Sequence, residues 1–299
     1  MIIDGHAHIF TPQVIANVSS RSAMAEKLHL DISGAQVRTN IAALRRESFS
    51  AGVGACLILP TAVAGKVREV NITFRKIAHE SGFLFTAGTL HPQYDANEEE
   101  LSQMLSEGVQ AIKLCSFSQG FSLSAPQTHN LFKLVEETNK AQKCRFFVMF
   151  DTLYLAHKHF GTLPEHNTTP AMLGDIVAAY PGIDFVAAHM GGLDAPPEEI
   201  FTYLPPSDNL YLETSNAAYT LSEGDFVRLL KIHGPEHIIF GTDWPWFGHR
   251  DEIKLLDKLL DRAGFDKKEK GFVFTDNIAS LLGVSTSQIG CFDQEEKQK

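Results

Sequence analysis

His6 and His8 stand two residues apart in the run IIDGHAHIF (2–10), and Asp4 stands two residues before them. Imidazole and carboxylate are the side chains that ligate divalent cations and move protons near neutral pH. The same types recur where the other apolar runs end. VQAIKL (109–114) carries Lys113, RFFVMF (145–150) runs into Asp151, and IDFVAAH (183–189) closes on His189. NLYLET (209–214) ends with Glu213, HIIFGTD (237–243) with Asp243, and FLFTAGTL (83–90) is followed at once by His91. VGACLIL (53–59) alone ends without an ionisable group. Charges buried together without partners would cost several kcal/mol each. A divalent cation is the partner that makes such a convergence favourable.

Eight apolar runs must position these groups, counting MIIDGHAHI (1–9) as the first. Each is short, rich in β-branched and aromatic residues, and bounded by Gly, Pro, Asn or Asp, as strands are. Segments 65–82, 97–108 and 222–234 read as helices. The first two end on Gly82 and Gly108, and Ser222 is placed to cap the third. Strands that are apolar throughout and alternate with helices imply a parallel sheet. Eight such pairs predict an α/β fold, a single (β/α)8 TIM barrel over 1–299 with 290–299 as a frayed tail. A doubly wound open sheet is the alternative, set aside because no GxGxxG follows the first strand. Segments 11–40 and 157–169, the latter with His157, His159 and His166, read as loop insertions.

Barrel enzymes carry their chemistry where strands meet the following loops. Alternate residues of a strand share a face about 6–7 Å apart, so His6 and His8 reach one ion together. Asp4, a layer lower, is placed to orient a ligand imidazole. Gly5 and Ala7 face outward, where small side chains let the surrounding helices pack close. Trp244, Trp246 and Phe247 follow Asp243 directly, at the mouth of such a site, and could form an apolar wall for a substrate.

The formal net charge of −10 offers no basic surface for a nucleic acid. No run of about eighteen apolar residues exists to span a bilayer, and no basic stretch precedes the apolar N-terminus as in a signal peptide. Cys56, Cys115, Cys144 and Cys291 are widely spaced, which suits reduced thiols in a cytoplasmic protein.

DGHAHI, GVQAIKL, HMGG (189–192), IIFGTDWP (238–245) and DNIASLLG (276–283) resemble, in order, the motifs of the amidohydrolase superfamily. The nearest branch is amidohydrolase family 2, which includes aminocarboxymuconate-semialdehyde decarboxylase. The resemblance implies a metal site of His6, His8 and Asp243, with Asp243 also taking a proton from the attacking water. It implies a catalytic role for His189, which binds metal in binuclear members and polarises water or substrate in mononuclear ones. It places a metal-binding histidine after the fifth strand, where this chain has Asp151. Asp151 is therefore a candidate fourth ligand, with His157, His159 and His166 as alternatives. Lys113 matches a strand-4 position and is a candidate for an anionic substrate group, while His91 and Glu213 rim the same pole. One divalent ion is implied, zinc first and manganese second.

The reaction expected is hydrolysis of a small lactone, ester or amide, carboxylate-bearing, by a metal-activated water. A decarboxylase acting on a small unsaturated or aromatic carboxylate would use the same residues. A degenerate barrel that binds a ligand without turning it over is the third reading. The partner expected is a small-molecule substrate, with neither nucleic acid nor membrane, and a homodimer is compatible with the family.

Overall fold

The computed structural model describes residues 1–285, so Cys291 and the tail expected from 290 lie outside the described residues. The strands are, in chain order, β1 (Ile2–Ala7), β2 (Val53–Ile58), β3 (Leu84–Thr86), β4 (Gly88–Thr89), β5 (Ala111–Leu114), β6 (Phe147–Phe150), β7 (Asp184–Ala187), β8 (Leu210–Glu213) and β9 (Ile238–Ile239). Seven of the eight expected runs each contain one strand. The run 83–90 is divided at Ala87, because β3 belongs to the sheet β1-β2-β3 whereas β4 pairs with β5. The chain changes sheets there, and one continuous strand cannot keep both sets of partners.

The first of two compact units comprises Met1–Leu59, Ile77–Phe85 and the described residues from Glu213. Its strands β1 and β2 are parallel, with Asp4 opposite Cys56 and Ala7 opposite Ile58. The residues after β9 run alongside β1: Gly5 N–H donates to the Phe240 carbonyl at 2.9 Å, and Asp243 N–H to that of His6 at 2.8 Å. Gly5 permits this approach. A Cβ there would stand 2.8 Å from Ile239 Cγ2 and 3.0 Å from the Phe240 carbonyl oxygen. The expected loop 11–40 is instead largely helical, over Pro12–Ser19, Ser22–Lys27 and Ile32–Val37. Thr11 and Asp31 cap the first and third of these through side-chain oxygens. Ile15, Val18, Leu30, Ile32 and Ala35 from this segment, with Phe10 just before it, pack around Trp246 and Phe247. That packing gives three short helices the stability they would lack alone.

The second unit comprises Pro60–Lys76 and Thr86–Leu212. Its strands β4 to β8 are hydrogen-bonded in sequence order, parallel from β4 through β8. Lys113 lies opposite Met149 and Phe150 opposite Ala187. Phe132, Phe146, Phe147, Phe150 and Phe185 are fully buried against this sheet, each worth roughly 1.5–3 kcal/mol of burial. The helices read at 97–108 and 222–234 form as Asn97–Ser106 in this unit and Glu223–His233 in the first; that read at 65–82 forms as Val67–Ser81. Ser222 caps its helix by accepting from Asp225 N–H, and Gly82 and Gly108 take positive φ just past theirs.

Candidate metal centre

β1 and the turn after β9 bring three donors face to face in the first unit. His6 Nε2 and His8 Nε2 are 3.0 Å apart, and Asp243 Oδ1 lies 3.7 Å from the one and 3.4 Å from the other. All three residues are buried. Their other atoms are held. His8 Nδ1 is 3.1 Å from the Leu59 carbonyl, a group that only accepts, so the ring proton sits on Nδ1 and Nε2 presents a lone pair. Phe10 stacks on the same ring at 4.5 Å. His6 Nδ1 shares a proton with Glu213 Oε2 at 2.7 Å, and with that proton on Nδ1 its Nε2 is likewise a lone pair. Asp243 is kept at φ 57, a left-handed conformation uncommon outside glycine, by its own N–H bond to His6.

Three acceptors this close repel unless a proton or a cation lies among them. Bond lengths of about 2.0–2.1 Å around a tetrahedral ion separate donor atoms by about 3.3 Å, and the separations here bracket that value. Histidine ligands nearly always commit their second nitrogen to a carboxylate or carbonyl, as both rings do. The residues fit a divalent metal.

Glu213 was expected to rim the pole for substrate, and it occupies another place. It has no exposed surface, Oε1 accepts from Ser215 N–H at 2.6 Å, and Oε2 accepts from Ser215 Oγ at 2.8 Å in addition to its bond with His6. Burial pushes its carboxyl up to about 8, while the two bonds from Ser215 pull the other way. Asp4, expected to orient an imidazole, instead accepts the main-chain N–H of His6 at 2.9 Å. The sequence signal for Glu213 was its place at a strand end, but its partner lies 207 residues away.

Trp244, expected at an apolar wall, has no exposed surface and donates its indole N–H to Glu47 at 3.2 Å. Trp246 packs with Ile15, Ala35 and Phe247. In the second unit, parallel pairing puts the C-terminal ends of the strands on one edge of the sheet. His91 follows β4, Lys113 lies in β5, Asp151 follows β6 and His189 follows β7. His91 uses both ring nitrogens: Nδ1 accepts from Gln93 N–H at 3.1 Å and Nε2 donates to the Gln119 carbonyl at 3.0 Å. Lys113 is fully buried, and its Nζ has no hydrogen-bond partner among the described residues. Asp151 is half-buried and accepts from Leu153 N–H at 3.1 Å. His189 is buried at φ 55, followed by Met190 at φ 54.

The amidohydrolase family model matches residues 3–284. No curated protein matches the chain by sequence. Solved structures similar over nearly the whole chain include the following three. An uncharacterised Tim-barrel protein from Bordetella bronchiseptica is 16% identical, with 97% of this chain and 99% of that one covered and a TM-score of 0.69. 5-Carboxyvanillate decarboxylase from Sphingomonas paucimobilis is 14% identical, with 95% and 99% covered and a TM-score of 0.67. An amidohydrolase from Burkholderia multivorans with bound zinc is 11% identical, with 95% and 100% covered and a TM-score of 0.65. The fold class is thus the α/β TIM barrel. Among the described residues no helix is long and apolar enough to cross a membrane.

Proposed function

The chain belongs to the amidohydrolase family, and from that premise we propose that it is a metal-dependent hydrolase of small carboxylate-bearing lactones, esters or amides. The observation that carries the proposal is the facing of His6 Nε2, His8 Nε2 and Asp243 Oδ1 across 3.0–3.7 Å. These three would hold one divalent ion, zinc before manganese, with Asp151 as a candidate further ligand. When bound, the ion supplies Lewis acidity toward a carbonyl and lowers the pKa of water.

The chain's own residues do the rest. Asp243 takes the proton of the attacking water and returns it to the leaving group. His189 steadies the oxyanion that develops on the carbonyl. Lys113, a buried amine with no hydrogen-bond partner among the described residues, suits the substrate carboxylate. The free thiols Cys56, Cys115 and Cys144 fit a cytoplasmic setting. A homodimer is compatible with this reading.

The test measures metal content in protein purified without chelators, for wild type and Asp151→Ala, and then products from a panel of small carboxylates in 18O-water. One equivalent of metal and 18O in the product support hydrolysis. Metal lost in Asp151→Ala supports it as a ligand. Released CO2 without 18O would replace the hydrolase by a decarboxylase with the same residues. Folded protein without metal would leave a binding barrel and no enzyme.

A further inference from the structure

Hydrogen bonds from three segments converge on one carboxylate beside the three donors. Asp4 has no exposed surface. Its Oδ1 accepts from His6 N–H at 2.9 Å and Thr242 N–H at 3.1 Å, and its Oδ2 from the Thr242 hydroxyl at 2.6 Å and His249 Nε2 at 3.0 Å. His6 is in β1, Thr242 immediately precedes Asp243, and His249 opens the helix His249–Ala263. The Thr242 hydroxyl also accepts from Trp244 N–H at 3.1 Å, so the turn is gripped on both sides of Asp243. A left-handed φ at a non-glycine residue persists only where its surroundings over-determine it. These bonds supply that constraint.

His249 is fully buried, and its Nε2 also lies 3.9 Å from Cys56 Sγ. An aspartate, a cysteine and a histidine so close could hold a second cation, but the histidine argues otherwise. A cation on Nε2 would put the ring proton on Nδ1, which has no hydrogen-bond partner among the described residues. Ligand histidines nearly always have that second N–H engaged. Burial and the neighbouring Asp4 also hold the Cys56 thiol far above its ordinary range, against the thiolate a metal requires. With its proton on Nε2, His249 donates to Asp4, and an acceptor rather than a donor is left unmatched.

We propose that His249 is a positioning residue: its Nε2–H fixes the Asp4 carboxylate, which holds the Thr242–Asp243 backbone so that Asp243 Oδ1 faces His6 and His8. This rests on reading those three residues as a metal centre.

The test is cobalt(II) binding to the metal-free full chain as wild type, His249→Gln and His249→Phe, followed by affinity and by the visible d–d spectrum. The glutamine amide can donate in place of Nε2–H, so His249→Gln should bind cobalt with the wild-type spectrum. His249→Phe should bind about 10–100-fold more weakly, with a shifted or weakened band. A merely structural role would lower its melting temperature but leave affinity and spectrum unchanged while it is folded, and that result overturns the proposal. If His249→Phe does not fold, the decision passes to Thr242→Val, which removes the hydroxyl donor from the same Asp4 oxygen. Weakened binding by folded Thr242→Val supports the proposal, and wild-type binding overturns it. Folded wild type that binds no cobalt overturns the metal-centre reading itself, and is distinguishable because it appears before any substitution.

Discussion

At the residue scale, Glu252 stands apart from the proposed ligands. It lies in the first turn of His249–Ala263, where the helix dipole favours an anion, yet burial pushes its carboxyl up to about 7. Tyr219 donates to its Oε1 at 2.5 Å. A carboxyl raised on folding binds its proton more tightly in the folded chain, so its contribution is complete below the unfolded value of about 4.3. That contribution fades as pH rises through about 7. Glu252→Gln should therefore match wild type at about pH 4 and exceed it at pH 8, by on the order of 3 kcal/mol once Glu252 is ionised. Urea midpoints at the two pH values measure this. Equal midpoints at pH 8 would mean that Glu252 is ionised in the folded chain at no cost. Nothing local in DEIKLLDKLL marks Glu252, because its hydrogen-bond partner Tyr219 lies 33 residues earlier in the sequence.

At the element scale, the segment after β9 and the end of β8 meet β1 so closely that Gly241 has no room for a side chain. A Cβ there would lie against the Glu213 carboxylate and 2.6 Å from His6 Cβ. Both neighbours are fixed, Glu213 by Ser215 and His6 by its place in β1. Gly241→Ala should destabilise the fold by about 1–3 kcal/mol and weaken metal binding, because the displaced group is the partner of His6. Gly65→Ala is the control, since nothing lies within 4 Å of a Cβ there. Thermal melts of the two variants with metal titrations check the pair; equal melting temperatures would show that the strands can separate without cost. Elements were legible where the signal is local: the apolar runs of β1 to β9, Ser222 at its helix start, Gly82 and Gly108 past theirs. Segment 11–40 was not, because its short helices depend on packing around Trp246 and Phe247 rather than on propensity.

At the scale of the whole molecule, a metal that binds the folded chain and not the unfolded one stabilises it by mass action. At a hundredfold excess over Kd that is about 2.7 kcal/mol, or roughly 5 °C for a chain of this size. Removing the metal with a chelator should lower the melting temperature by that amount, and zinc or manganese added in excess over the chelator should restore it. A melting temperature unchanged by either step would dissociate folding from the proposed centre. The same mass action would apply to a carboxylate held, as proposed, at Lys113, whose buried amine has no hydrogen-bond partner among the described residues.

The sequence by itself determined which residues could ligate. A strand repeats every two residues, so His6 and His8 had to share a face, and a run ending in GTD had to present Asp243 near its end. The (β/α) alternation likewise follows from short apolar runs separated by helical ones. Only the tertiary structure decided the partners of those groups. Glu213, and not Asp4, holds the His6 imidazole, and the Leu59 carbonyl assigns the His8 tautomer. Asp4 instead gathers donors from Thr242 and His249, more than 230 residues along the chain. Hydrogen-bond partners so distant are fixed by which strands lie side by side, and no local periodicity encodes that.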